Sequence, residues 1–287
     1  MGGGNKEIMD IIANVNESKF KSEKQFIAYI DILGYEHLVK KYGTAKIAAI
    51  IDAEIKKSKY FAEGLTGDDF SKIILAQTNT TEADMSIRQK VFSDNFFFCT
   101  KGGWFNLVYL IPYLQNSLIN YGIFIRGAMC YGEIYWDEDE KFICGDGLIY
   151  VHKLESVAAI YPRILIDGSF HDHIRASVSM LNEIYSDALT RSTGHLFGVD
   201  YDYHSFIDYL SYGHHLLVSR HNGKERNDKI ESARKLFLDF LSHHRNILCE
   251  NLRKNKSNIN IHSKYLWCKR YHNNFCEQHH YTDYLIA

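Results

Sequence analysis

The sequence lacks a strong net charge of either sign and lacks any long uncharged apolar run. Its 287 residues contain 33 Lys and Arg against 35 Asp and Glu, a formal net charge of −2. This balance argues against nucleic-acid binding through a broadly basic surface. No uncharged apolar run approaches the roughly 18 residues of a membrane span, and the N-terminus lacks the basic and apolar regions of a signal peptide. We therefore expect no membrane association and no nucleic-acid partner.

The chain is also poor in proline and has no paired cysteines. Its two prolines are Pro112 and Pro162, and no Pro-rich or Gly/Ser-rich linker divides it. The six cysteines are scattered and form no Cys-x-x-Cys motif, which is typical of free thiols in a reducing cytoplasm. With 46% hydrophobic and 24% charged residues, the composition is that of an ordinary folded protein in one or two domains.

Strand-like and helix-like segments alternate up to about residue 167, and then His, Asn, Tyr and Lys become dense. The apolar spacing predicts, in chain order, a strand, a helix, a hairpin, a helix, a strand, a helix and a strand. The segments are Phe26–Leu33, His37–Lys59, Lys90–Thr100, Leu107–Asn120, Ile123–Tyr131, Phe142–Ala159 and Arg163–Ile166. Hairpins among alternating strands and helices indicate an α+β fold with a mixed sheet, nearest to the ferredoxin-like scheme.

Two aspartates interrupt apolar runs that would otherwise be buried. Asp31 lies inside the first strand, and Asp94 lies at the tip of the hairpin. A buried carboxylate needs a cation, hydrogen-bond donors or water, and two carboxylates at one sheet edge suit Mg²⁺ or Mn²⁺ bridging a triphosphate. Gly34 would let the backbone approach phosphates closely. Alternatively, Asp31 caps the next helix and Asp94 is an ordinary turn residue; the two together favour a metal site.

Four segments, in this order, carry a resemblance to the class III nucleotidyl cyclases. YIDILGY resembles the first metal motif of that family, and KVFSDNFFF resembles its second. IRGAMCYGEIY is similar to its Arg-x-Gly strand, and CGDGLIYVHKLES is similar to the start of the helix that carries its transition-state residues. Together they extend from about residue 25 to residue 167. The resemblance implies a class III cyclase fold of ferredoxin type with flanking helices.

The resemblance also implies roles for the residues of the first motif and for Asp94. Asp31 and Asp94 would hold two Mn²⁺ or Mg²⁺ ions per site, and Ile32 would add its backbone carbonyl. The amides around Leu33, Gly34 and Tyr35 would hold the phosphates of a nucleoside triphosphate.

The rest of the second motif would contact the substrate. Lys90 falls four residues before Asp94, where purine cyclases often place a base-contacting lysine, and Phe92 lies between them. Arg126, at a strand end, either pairs with Glu133 or reaches the triphosphate.

Three positions depart from the family pattern. The second base-reading residue of adenylyl cyclases falls on Phe142, and the family's helical Asn and Arg fall on Ile149 and Lys153. Lys153 would still stabilise transition-state charge, less directionally than Arg. The chain is therefore not a typical adenylyl or guanylyl cyclase.

The whole pattern is similar to the Pycsar pyrimidine cyclases of anti-phage defence, including late motifs at Phe206–Leu210 and Lys264–Asn273. That resemblance implies conversion of UTP to cyclic UMP or CTP to cyclic CMP, and a homodimer with sites between the subunits. It also implies a separate effector protein that senses the product. Phe142 offers no acceptor for an exocyclic amine, and Lys90 is a donor that suits a pyrimidine carbonyl, which slightly favours UTP and leaves CTP open.

The predicted organisation has three parts: an N-terminal helix within residues 1–24, a cyclase domain over residues 25–168 and a mostly helical extension over residues 169–287. A catalytically silent nucleotide-binding module on the same fold is the main alternative, since the family's Asn is missing. A two-metal nuclease or polymerase-like enzyme is a third hypothesis, against which the balanced charge and the absence of a basic stripe weigh.

Overall fold

The fold is described from a computed structural model covering residues 20–64, 81–137, 142–181, 193–219 and 227–287, with the single positions Glu183 and Thr190. The helix predicted within residues 1–24 lies almost wholly outside the described residues. Strand β1 begins at Glu23. No helix in these ranges is both long and apolar enough to cross a membrane.

A mixed β-sheet forms the centre of the protein. The strands in the described ranges are β1 (Glu23–Ile32), β2 (Arg88–Phe92), β3 (Asn95–Thr100), β4 (Ile125–Trp136), β5 (Ile143–Cys144), β6 (Ile164–Ile166), β7 (Phe197–Val199) and β8 (Ser205–Ile207). Their order is β2-β3-β1-β4-β6-β8-β7, with β5 paired to β4 off this path. β4 and β6 are parallel, and the other pairs are antiparallel. The expected α+β mixed sheet is confirmed.

Helices cover both faces of this sheet. In the described ranges they are α1 (Tyr35–Tyr42), α2 (Thr44–Gly64), α3 (Glu82–Met85), α4 (Trp104–Ile119), α5 (Asp146–Ala158), α6 (Gly168–Ser179), α7 (Tyr209–His214), α8 (Asn227–Lys254) and α9 (Ile259–Gln278). Because side chains alternate along a strand, β1 contributes to two cores. Phe26 and Ile30 pack in the core that contains residues of α2, α4 and α6. Ile27 packs in the core that contains residues of α5, α8 and α9.

The single helix predicted over His37–Lys59 is two helices. Gly43 separates α1 from α2 with a φ of 84°, a left-handed conformation that glycine adopts at low cost. The apolar spacing continues through this break, because both helices pack on the same core, and it conceals the turn.

The C-terminal part is mostly helical, as expected, and it also extends the central sheet. β8 pairs with β6 through Phe206 opposite Leu165, and β7 then pairs with β8. The late motif Phe206–Leu210 therefore covers the end of a strand and the start of a helix, with Asp208 as the N-cap of α7. Residues beyond 168 share one sheet with those before it.

Two glycines bring α5 unusually close to the sheet. A Cβ atom on Gly132 of β4 would lie 2.7 Å from the Gly147 Cα, and one on Gly147 would lie 2.9 Å from the Gly132 carbonyl carbon. Real Cβ contacts are not this short, so both positions require glycine for the observed packing. The close approach places the inner side of α5 against the strands that carry Asp31 and Arg126.

Candidate active site

Asp31 and Asp94 lie at the same end of neighbouring strands. Asp31 is opposite Asn95 of β3, the residue that directly follows Asp94. The Ile32 amide donates to the Asp94 carbonyl oxygen at 3.0 Å, which fixes the hairpin turn beside the end of β1. Asn95 Nδ2 donates to Asp94 Oδ1 at 3.0 Å. The structure therefore brings together the two aspartates that the sequence predicts as metal ligands.

Arg126 of β4 bridges Asp31 to a second carboxylate, Glu155 of α5. Its Nε lies 2.8 Å from Asp31 Oδ2, and its second terminal nitrogen lies 2.9 Å from Glu155 Oε1. The remaining terminal nitrogen donates to the Ala159 carbonyl oxygen at 3.2 Å. Of the two alternatives considered for Arg126, pairing with Glu133 is therefore wrong. The guanidinium group instead holds the Asp31 carboxylate in place through its ion pair.

The C-terminal helix α9 adds a lysine to this cluster. Burial and the Arg126 charge lower the pKa of Lys264, while the charges of Asp31 and Glu155 oppose that shift. Lys264 therefore lies within electrostatic reach of the candidate metal ligand from a segment more than 200 residues later in the sequence. It is the first residue of the late motif Lys264–Asn273. That motif is the only feature of the sequence that points to Lys264, and the sequence assigns this lysine no role in the site.

The charged side chains in this cluster carry an excess of negative charge, which a bound cation would balance. Three carboxylates, Asp31, Asp94 and Glu155, face two cations, Arg126 and Lys264. Burial raises the pKa of Asp31, and the Asp94 charge adds to that rise, whereas the Arg126 hydrogen bond and charge oppose it. Burial also raises the pKa of Glu155. A further positive charge would stabilise the ionised forms of both groups.

The donor set fits a hard divalent ion that relies on its substrate for further ligands. Among the described residues, no group of three or more His, Cys, Asp or Glu side chains is arranged to hold a metal ion. Mg²⁺ is commonly held by one or two carboxylates together with substrate phosphates and water. Asp31 and Asp94 match this arrangement, and the Ile32 carbonyl stays a predicted ligand.

The predicted phosphate loop leads directly into the first turn of α1, where backbone amides lack partners within the helix. Gly34 has a φ of 70° and precedes α1, and the Leu38 amide makes the first bond of the helix, to the Gly34 carbonyl at 3.1 Å. The amides of residues 35–37 therefore have no partner within the helix. The Leu33 amide instead donates to the Phe124 carbonyl at 2.9 Å. Anion-binding donors accordingly begin after Leu33, and Tyr35 is among them.

Lys90 and Phe92 lie on the same face of the sheet as Asp31. In the strand register, Phe92 is opposite Asn95, which is opposite Asp31. Lys90 is two residues before Phe92, so its side chain emerges on the same face. Phe92 is 51% exposed. These two predicted substrate contacts therefore line one face beside the aspartate pair.

Phe142 and Lys153 do not converge on the aspartates within one chain. Phe142 is 46% exposed, with its ring centroid 5.4 Å from that of Tyr135. Glu155 is the α5 residue that reaches Arg126. Because helix positions two apart do not face each other, the exposed Lys153 lies on another side of α5. The exposed Ile149, at the family's Asn position, lies one turn before it.

Comparisons with known proteins give fold-level likenesses only. No protein-family model and no curated protein matches the chain. Solved structures of cyclase domains do match. The guanylyl cyclase domain of the RhoGC fusion protein from the aquatic fungus Blastocladiella emersonii is 13% identical, with a TM-score of 0.39 over 55% of this chain and 88% of that one.

Two further solved structures cover more of the chain. A bacterial light-regulated adenylyl cyclase is 11% identical, with a TM-score of 0.39 over 82% of this chain and 63% of that one. A class III adenylyl cyclase-like ATP-binding protein from Pseudomonas aeruginosa is 14% identical, with a TM-score of 0.32 over 69% of this chain and 41% of that one. The roles assigned to residues below therefore rest on the geometry of this chain and on its motifs.

Proposed function

We propose that the protein is a metal-dependent pyrimidine nucleotide cyclase that converts UTP to 3′,5′-cyclic UMP or CTP to 3′,5′-cyclic CMP, releasing pyrophosphate. One observation carries the proposal. Asp31 and Asp94 end neighbouring strands directly beside the left-handed Gly34 and the free amides of α1. Carboxylates for a divalent ion and amides for phosphates are thus side by side, as a nucleoside triphosphate requires.

In the proposed reaction, the ribose 3′-hydroxyl gives its proton to water, its oxygen attacks the α-phosphorus in line, and the bond from that phosphorus to pyrophosphate breaks. Divalent ions, held by Asp31 and Asp94, would supply charge neutralisation and a lower pKa for the 3′-hydroxyl when bound. Arg126 keeps the Asp31 carboxylate in one orientation. The amides that begin α1 hold the phosphates. Catalysis is then mostly positioning and electrostatic stabilisation, as in other phosphoryl transfers.

The proposed base preference rests on two side chains: Lys90, which lies beside the aspartate pair, and Phe142, which does not approach the aspartates within one chain. Phe142 offers an apolar ring and no acceptor, which disfavours recognition of an exocyclic amine. Lys90 donates only, and it lies on the face that carries Asp31. A donor suits O4 of uracil or O2 of either pyrimidine. We favour UTP, with CTP as the other candidate substrate.

Exposed apolar residues on and near α5 support a homodimer. Ile149, Val157 and Ile160 are each half or more exposed, at 67%, 68% and 50%. Lys153 is exposed between the first two. A second copy covering this face would bury the apolar side chains and take Lys153 toward the partner's substrate. A role in anti-phage defence, with a separate effector that binds the product, follows from the family resemblance alone and is part of the proposal.

Matched carboxamide variants test the metal site. Asp94→Asn removes a charge and keeps the size of the side chain, and no salt bridge is lost among the described residues. Asp172→Asn, on the exposed side of α6, is the control. We expect Asp94→Asn to lose at least about a hundredfold of the Mn²⁺-dependent product formation, while Asp172→Asn keeps it. Equal activity in both variants would refute the assigned site.

A catalytically silent nucleotide-binding module is the second candidate. It is favoured by the Arg126–Asp31 ion pair, which occupies one side of a predicted metal ligand, and by Ile149 in place of the family's Asn. This candidate predicts triphosphate binding with no pyrophosphate release. Turnover of any nucleotide by the purified protein would exclude it.

A further inference from the structure

A cavity of about 670 Å³ lies next to the aspartate pair and shares Leu33 and Gly34 with the predicted phosphate loop. α1 and α2 form one wall, and α8 and α9 form the other. The volume falls within the roughly 300–1,000 Å³ typical of small-molecule sites, which often lie where two parts of a chain meet.

The lining of the cavity combines cations with apolar walls. Lys41 and Lys46 approach the ring of Tyr42, at 4.5 Å and 5.5 Å from its centroid. Lys254 comes from the opposite wall, where it pairs with Glu250. The three lysines face one carboxylate, so the cavity carries a positive excess.

The floor is apolar and is built from the main core. Ile47 and Ile123 are almost fully buried, at 0% and 1% exposed, and both line the cavity. Ile261 of α9, 39% exposed, lies at its edge, with Tyr265 on the same helix. A ligand here would place an apolar or aromatic body on the floor and an anionic group between the lysines.

We propose that this cavity binds a small organic anion of nucleotide size with an apolar or aromatic body. Charge and shape both point to this class. The three lysines favour a ligand with an anionic group, and the apolar floor favours a ligand with an apolar or aromatic group. A ligand that carries both groups would use both parts of the cavity. The site is separate from the aspartate pair and needs no metal ion.

Occupancy of the cavity would also affect the candidate active site. Leu33 and Gly34 line the cavity and form the loop before α1, and Tyr265 follows Lys264 on α9. A ligand that fixes these residues changes the position of the amides and of Lys264 relative to a bound triphosphate. This regulatory consequence rests on the proposed function, whereas binding to the cavity does not.

The test uses the fluorescent anion 8-anilinonaphthalene-1-sulfonate with the purified 287-residue chain. We expect saturable binding, weakened by about tenfold in Lys46→Glu and in Lys254→Glu. Lys56→Glu is the matched control, since Lys56 also forms an exposed i,i+4 ion pair, with Asp52, but does not line the cavity. It should bind the probe as the parent does. Equal affinity in all three variants would overturn the proposal.

A second pair of variants tests the shape of the site. Ile261→Trp fills the cavity without changing its charge and should abolish probe binding. Ile259→Trp, at an 81% exposed position outside the lining, should not. Adenosine monophosphate should displace the probe at concentrations where inorganic phosphate does not. Equal displacement by both would refute the apolar half of the proposal.

The two proposals fail separately. Asp94→Asn should keep probe binding while product formation is lost. If Asp94→Asn retains product formation, the assigned active site is wrong and the cavity proposal is unaffected. If the lysine variants bind the probe normally while Asp94→Asn is inactive, the cavity proposal fails alone. Circular dichroism and thermal melting confirm folding, and the exposed lysine variants decide the matter if Ile261→Trp does not fold.

Discussion

Replacing Arg126 by Leu should destabilise the protein strongly at neutral pH and much less in acid. The substitution removes ion pairs at 2.8 Å and 2.9 Å to Asp31 and Glu155 and a hydrogen bond to the Ala159 carbonyl oxygen. The three charged side chains are only 23%, 16% and 5% exposed. Breaking a buried pair from one side costs about 3–5 kcal/mol. Their partial exposure places the expected loss of unfolding free energy at about 3 kcal/mol.

The pH dependence follows from the direction of the pKa shifts. Burial already raises the pKa of Asp31 and of Glu155 in the folded protein. Without the guanidinium, both pKa values rise further. A carboxyl whose folded pKa lies above its unfolded value favours folding at low pH, and that contribution is lost as pH rises through the folded pKa. The deficit of the variant should therefore be smallest near pH 4 and largest near pH 7.

Urea unfolding of the parent and the variant at a series of pH values measures this deficit. Arg175→Leu is the control, because Arg175 pairs with Asp172 at the surface, where both side chains are 80% and 73% exposed. Such a pair contributes at most about 1 kcal/mol. Adding Glu155→Gln to Arg126→Leu should recover part of the loss. If Arg126→Leu lowers the free energy of unfolding no more than Arg175→Leu does, or by the same amount at every pH, the stabilising role assigned to the Arg126 ion pairs is refuted.

Three further changes test other parts of the structure. Lys264→Met should shift the acidic limb of the pH–rate profile to higher pH, because the Lys264 charge lowers the pKa of Asp31 and its removal lets that pKa rise. An unchanged limb would show that Lys264 does not act on Asp31. Gly34→Ala should cost about 1 kcal/mol of unfolding free energy, since its φ of 70° disfavours residues with a Cβ atom; an unchanged urea midpoint would contradict this. Burial and the neighbouring His279 and His215 lower the pKa of His214 to about 4. This histidine therefore contributes stability that is lost as pH falls from about 6.5 towards 4. The parent should lose about 3 kcal/mol more than His214→Phe between pH 7 and pH 4. Equal losses would contradict it.

The local parts of the site could be predicted from the sequence. Asp31 and Asp94 are unusual carboxylates within apolar strands, and the hairpin between β2 and β3 places Asp94 beside β1. The Gly34 turn could be predicted for the same reason, because strand, glycine and helix follow one another along the chain. Local signals are enough where a site is built from neighbouring segments.

The long-range parts could not be predicted. Glu155 and Lys264 reach the site only because α5 packs closely on β4 and α9 returns across the sheet. Both residues lie in segments that carry the family resemblance, but nothing in the sequence assigns either of them a role at the site. The sheet extension could not be predicted either, because β7 and β8 are each three residues long and lie in a polar, His-rich region. Strands that short carry no readable alternation.

The most direct test of the central claim is a product assay with single nucleotides. Purified protein is incubated separately with ATP, GTP, CTP and UTP in the presence of Mn²⁺, and the products are identified by mass. The account predicts one cyclic pyrimidine monophosphate together with pyrophosphate. Cyclic AMP or cyclic GMP as the main product would contradict the assignment of the base pocket to Phe142 and Lys90. No product from any of the four nucleotides would contradict the proposed cyclase activity itself.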